Sequence, residues 1–256
     1  MMQKVLVYDG SFEGFLSAVF KVYEEKIEHV DIQRETSVQP SFFGNTEEII
    51  SNKKHADRVW NGLKKKLTSY GRNQLYYAFL SEMNSVENVL LDYIRQVFAS
   101  SDTIEKDFSN LTVLKVSKIT RSVGREKHRM EAFVRFKLTK DGLYFSNVEP
   151  DFNVLPLIAK HFKSRYADQK WVIYDIKRNY GLHYNLDTVE TIVMDFPKEF
   201  DFTKTSGDFF AEEELAFQEL WQNYFKSTNI ESRKNMLLHV RHVPKRYWRY
   251  LSEKQP

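Results

Sequence analysis

The stretch Glu131-Ala132-Phe133-Val134-Arg135-Phe136-Lys137-Leu138-Thr139-Lys140-Asp141-Gly142-Leu143-Tyr144-Phe145-Ser146-Asn147-Val148 is where the period of the chain changes. Before it, apolar residues recur every three or four positions. Within it they alternate with polar ones, as a half-buried strand requires. Lys140-Asp141-Gly142 is a tight-turn signal, because Asp and Gly tolerate the backbone angles that short hairpin loops need. The stretch predicts a β-hairpin, and the rest of the chain is read outward from it.

Upstream, Val5-Leu6-Val7-Tyr8 reads as a short buried strand ended by Asp9-Gly10. Ser11 is placed to cap a helix carrying Phe12, Phe15, Leu16, Val19, Phe20 and Tyr23. From about 45 to 101 the pattern is read as helical, with Asn45-Thr46-Glu47-Glu48 as its start signal. Val113, Val116, Ile119, Val123 and Met130 predict a further helix. Downstream, Asp151 or Asn153 is expected to cap a helix carrying Leu155, Ile158, Phe162 and Tyr166. Trp171-Val172-Ile173-Tyr174 and Leu182-His183-Tyr184 read as a strand pair, and 191–194 as one more strand. An amphipathic helix is expected over 212–225, and Pro244 as the first residue of a short terminal one. The fold class is α+β: a helical N-terminal part, a small, mostly antiparallel central sheet of hairpins, and a helical C-terminus. With no linker in sight, 1–256 is read as one compact unit, with 1–110 and 111–256 as lobes should it divide.

The absence of cysteine excludes a disulfide, a thiolate nucleophile and a thiolate-held zinc or iron–sulfur cluster on this chain. The first residues reach charge too soon for a signal-peptide core, and no apolar run approaches the roughly 20 residues that span a bilayer. A cytoplasmic protein with no membrane association is expected. No phosphate-binding glycine loop, dinucleotide fingerprint or His-Glu-x-x-His occurs, so no cofactor is signalled. His239 and His242 lie three apart on an expected helix, but no third metal ligand accompanies them.

Charge is strongly polarised. Residues 226–256 hold eight Lys/Arg against Glu231 and Glu253, and residues 115–140 hold nine against Glu126 and Glu131. These balances are +6 and +7, yet the whole chain is only +3, so the remainder is −10. In the first block, helical spacing puts Arg121, Arg125, His128 and Arg129 on one face. Arg135 and Lys137 would carry that face onto the hairpin. In the second, Lys245, Arg246, Tyr247, Trp248 and Arg249 interleave cations with π faces, the combination that phosphate neutralisation and base stacking require together. A competing pattern is Pro150-Asp151 followed by Asp175-Ile176-Lys177. Two carboxylates and a lysine at strand ends are what a metal-dependent nuclease uses on a phosphodiester, although a whole helix separates them here.

Four short motifs occur in the order seen in one bacterial family: Tyr8-Asp9-Gly10-Ser11-Phe12, then 128–136 (His128-Arg129-Met130-Glu131-Ala132-Phe133-Val134-Arg135-Phe136), Glu149-Pro150, and Pro244-Lys245-Arg246-Tyr247-Trp248. Leu220-Trp221-Gln222-Asn223-Tyr224-Phe225 lies between the last two. The chain resembles DNA-metabolism proteins of unknown function that are encoded beside a radical-SAM protein or fused to a uracil-DNA-glycosylase-like domain. That resemblance implies DNA repair or modification in company with a partner enzyme, but supplies no catalytic residues. The expectation is a nucleic-acid-binding accessory protein, not itself catalytic, that presents DNA to such a partner. The alternative is a metal-dependent nuclease or other DNA-acting hydrolase using Asp151, Asp175 and Lys177.

Overall fold

Strand β1 (Lys4–Tyr8) opens the computed structural model, which describes residues 4–37, 45–196, 201, 209–211, 213, 214, 216–218, 220 and 236–254. Ser11 caps helix α1 (Phe12–Glu24) as expected, its Oγ accepting from the Gly14 N–H at 2.8 Å. Gly10 supplies the left-handed turn between them, at φ 82°. Strand β2 (Val30–Arg34) and strand β3 (Asn45–Ile49) then pair with β1 on either side, both parallel, in the order β2-β1-β3.

Strand β3 corrects the sequence reading, which took Asn45-Thr46-Glu47-Glu48 as a helix start. Parallel pairing with β1 overrides the local cap signal, since a lone strand edge otherwise leaves its backbone groups unmatched. The helix begins later, as α2 (Lys53–Lys66). Its cap is Asn52, whose Oδ1 accepts from the Lys54 N–H at 2.9 Å. Helices α3 (Ser69–Phe79) and α4 (Val86–Ala99) follow. Phe12 and Phe15 of α1 pack against Tyr76 and Phe79 of α3, at ring-centroid separations of 5.1–5.7 Å.

Helix α5 (Leu111–Phe133) is the longest element among the described residues. Cα packing divides the chain within it, into the units Met1–Gly124 and Arg125–Pro256. Val113, Val116, Ile119, Val123 and Met130 are all buried along one side, as their spacing predicts. The helix persists through Phe133, so the alternation read over 131–139 collapses to a two-residue strand, β4 (Lys137–Leu138). The turn itself is as predicted: Gly142 stands at φ 77°, and its N–H donates to the Thr139 carbonyl at 3.0 Å.

The second sheet runs β4-β5-β6-β7-β8, with β5 (Tyr144–Val148), β6 (Trp171–Asp175), β7 (Tyr180–Tyr184) and β8 (Val189–Ile192). It is mixed. β5 and β6 are parallel and joined across helix α6 (Leu155–Arg165), while the other three pairings are antiparallel. Neither expected residue caps α6. Its N-cap is Val154, and Asn153 instead accepts from the Tyr180 hydroxyl. Of the helix expected over 212–225, Glu213, Glu214, 216–218 and Leu220 are helical, and the rest lies outside the described residues. The last described elements are α7 (Met236–His242), a 3₁₀ turn at Lys245–Tyr250 and a second at Ser252–Lys254. Pro244 is the cap of the turn at Lys245–Tyr250, not its first residue. The architecture is therefore mixed α/β, with a three-stranded parallel sheet at the start where one short strand followed by helices was expected.

Candidate nucleic-acid interface

Helix α5 displays its cations along a defined stripe. The exposed positions Lys115, Lys118, Arg121, Arg125 and His128 recur at intervals of three and four, and no acid interrupts them. At 1.5 Å per residue the stripe is about 20 Å long. His128 is open, with 87 % of its side chain exposed, and its Nδ1 lies 3.9 Å from a Glu131 carboxylate oxygen. Lys118 and Arg121 make no ion pair among the described residues. Arg129 sits on the flank and is paired with Glu126 at 3.3 Å. Lys137 does not extend the stripe, because it is buried beside the Phe210 ring. Burial pushes its ammonium pKa down, with Glu214 opposing.

The C-terminal tract is disposed differently. Tyr247 is 2 % exposed, and its hydroxyl donates to the Glu126 carboxylate. Burial and that carboxylate both push the phenol pKa up. Arg246 lies over the Tyr247 ring at 4.4 Å and reaches Glu126 at 3.3 Å and Asp151 at 2.6 Å. Arg249 and the Tyr250 hydroxyl both engage Glu149. Arg135 pairs with Glu253 at 2.8 Å. The Trp248 indole N–H donates to the Val243 carbonyl at 2.9 Å. Of the tract's cations expected to meet phosphate, Lys245 is exposed, whereas Arg246 and Arg249 already face carboxylates.

Glu126 organises this arrangement, and the sequence reading gave it no role. Its side chain is 1 % exposed. It takes the Asp151 N–H at 2.9 Å in addition to Tyr247, Arg246 and Arg129. A signal was present. Positions 116, 119, 123, 126 and 130 form a single three-four stripe, so Glu126 falls on the apolar side of α5 among Val123 and Met130. A carboxylate at such a position requires dedicated donors, since unpaired burial of its charge is strongly unfavourable.

The pattern at Asp175 resolves as a structural turn. Asp175 is fully buried at the end of β6. Its Oδ1 accepts the N–H groups of Lys177 and Arg178 at 3.0 and 3.2 Å, and Oδ2 accepts from the Arg178 guanidinium at 2.8 Å. Burial pushes the carboxyl pKa up, partly offset by Arg178. Asp151 is turned to Arg246, and Lys177 Nζ donates to the Asp151 backbone carbonyl at 3.3 Å. Among the described residues no group of three or more His, Asp or Glu side chains is placed to hold a metal, and no helix is long and apolar enough to cross a membrane.

Residues 84–253 match the family described as a domain of unknown function, DUF4130, and the chain belongs to that family. No curated protein matches it. Among solved structures, a pGpG-specific phosphodiesterase, PggH from Vibrio cholerae, is similar at 10 % identity and a TM-score of 0.36, over 71 % of this chain and 81 % of that one. A likeness so slight bears on neither fold nor activity.

Proposed function

We propose that this chain is a nucleic-acid-binding accessory protein in DNA repair or modification, and that α5 carries the contact. The observation behind this reading is the uninterrupted exposed stripe of Lys115, Lys118, Arg121, Arg125 and His128. Such a stripe suits the phosphate backbone, where each neutralised charge releases a counterion. Arg129, on the flank of α5, and the exposed Lys245 are secondary contacts. Arg246, Tyr247, Trp248 and Arg249 act indirectly, by holding the terminal turn in place. The partner is a radical-SAM or uracil-DNA-glycosylase-like enzyme, a reading that rests on the family resemblance of the motifs alone. A cytoplasmic location follows from the same reading.

The test is fluorescence-anisotropy titration of DNA across a salt series, with the wild-type protein and a Lys118→Gln/Arg121→Gln/Arg125→Gln variant. Each lost phosphate contact should make the dependence of log K on log salt shallower by about 1. A variant that binds with wild-type affinity and slope would remove α5 from the interface. DNA cleavage by the wild-type protein would overturn the accessory role.

A further inference from the structure

Helix α2 lies outside the residues that match the family, and its charge breaks a local rule. It carries Lys53, Lys54, Arg58, Lys64, Lys65 and Lys66 against the single acid Asp57. The last three suit a helix C-terminus, where the macrodipole favours cations, and Lys66 also donates to the Ser100 carbonyl at 2.8 Å. Lys53 and Lys54 do not. They stand in the first turn, which holds no acidic residue, and there the dipole disfavours them. Both are exposed, and neither is ion-paired among the described residues. Local chemistry of this kind, unfavourable and uncompensated, is characteristic of functional positions.

Directly beside them is an aromatic platform. His55 stacks on Phe20 of α1 at a centroid separation of 4.1 Å and an interplanar angle of 16°. Arg58 lies over the same Phe20 ring at 5.6 Å. Phe20 and His55 are half-buried, which leaves part of each ring at the surface, while Lys54, Arg58 and Lys65 follow one another along the exposed side of α2. Cations along a helix flanking a partly exposed π surface meet the two requirements of single-stranded nucleic acid, backbone neutralisation and a base-stacking face.

We infer that α2 is a second nucleic-acid contact, in addition to α5, and that it takes a single strand with a base against the His55–Phe20 stack. The inference rests on the nucleic-acid reading of the chain and adds a surface and a strand preference to it. The full-length protein is titrated with a single-stranded oligonucleotide, the matching duplex, and inorganic polyphosphate. The variants are Lys53→Gln/Lys54→Gln, His55→Ala, and the α5 triple variant above.

Lys53→Gln/Lys54→Gln should make the single-strand salt slope shallower by about 1.4, at about 0.7 per phosphate contact. It should leave the thermal midpoint unchanged or raised, because it relieves the dipole conflict, and a purely structural pair of lysines would not combine these two results. His55→Ala should weaken single-strand binding about fivefold or more and leave polyphosphate binding unchanged. If the α2 variants bind like wild type while the α5 variant loses affinity, the inference fails and the general reading stands. If His55→Ala weakens polyphosphate and single strand alike, or neither, the base contact is overturned. If wild-type protein binds no nucleic acid at low salt, both readings fall together.

Discussion

The stripe on α5 and the C-terminal tract look alike as sequence, each a run of Lys and Arg in a chain of modest net charge. Their surroundings separate them. Along α5, Lys118 and Arg121 make no ion pair among the described residues, while His128 Nδ1 lies 3.9 Å from a Glu131 carboxylate oxygen. In the tract, Arg246 meets Glu126 and Asp151, Arg249 meets Glu149, and Tyr247 is buried against Glu126. Cation density in the sequence therefore does not say which cations the tertiary structure has already supplied with a counter-charge.

The comparison is most directly broken at Glu126. Glu126→Ala would take the acceptor from the buried Tyr247 hydroxyl and from the Asp151 N–H, and each buried donor left unsatisfied costs about 1–3 kcal/mol. Urea unfolding should register that loss, and a variant as stable as wild type would show that the tract does not depend on its acid. A smaller effect is expected from Tyr247→Phe, which keeps the ring and deletes only the hydroxyl. It should destabilise by about 1–2 kcal/mol, and less than Glu126→Ala in the same assay.

Below these, the exposed pair Arg249–Glu149 should contribute under about 1 kcal/mol to stability. On α5, Lys118→Gln/Arg121→Gln should change stability by no more than about 0.5 kcal/mol per site while weakening DNA binding measurably. A double variant that unfolds the protein without touching affinity would invert the assignment of the two regions.

The smallest effect concerns a third way of disposing of cations. Lys4 and Lys21 each bridge Glu25 and Glu47, at 2.5–2.9 Å. Hydrogen bonds from Lys4 and Lys21 hold the Glu25 carboxyl below its usual range, and the same two ammoniums hold Glu47 there. For an acid with a depressed folded pKa, the stabilisation is present above the unfolded value of 4.5 and lost as the pH falls through the folded one. Glu47→Gln should therefore narrow the difference in urea midpoint between pH 6 and pH 3. An unchanged difference would mean that the ring of charges adds nothing.

Legibility followed the range of the interactions. The Ser11 cap, the turn at Gly142 and the buried face of α5 were readable because each shows in neighbours within about a turn of helix or a hairpin. The strand ending at Tyr8 was readable from its continuous apolar run, although its partners are distant. Strand β3 was not, since its partner β1 lies some forty residues away and its local residues signal a cap. The alternation at Val30 and Ile32 could have revealed β2 but is short. The parallel pairing of β5 and β6 was hidden by the intervening α6, which breaks the run of hairpins into a crossover.

The candidate site divides along the same line. The sequence by itself determined that the cations of α5 share one face, because helical geometry alone puts residues three and four apart together. It also determined that Glu126 belongs to the opposite, buried face. Only the tertiary structure decided that Tyr247 and Arg246 meet that buried acid, about 120 residues away in the chain. The reason is physical: a charge removed from water must be matched by whatever packing brings beside it, and a sequence read locally contains the charge but not its neighbour.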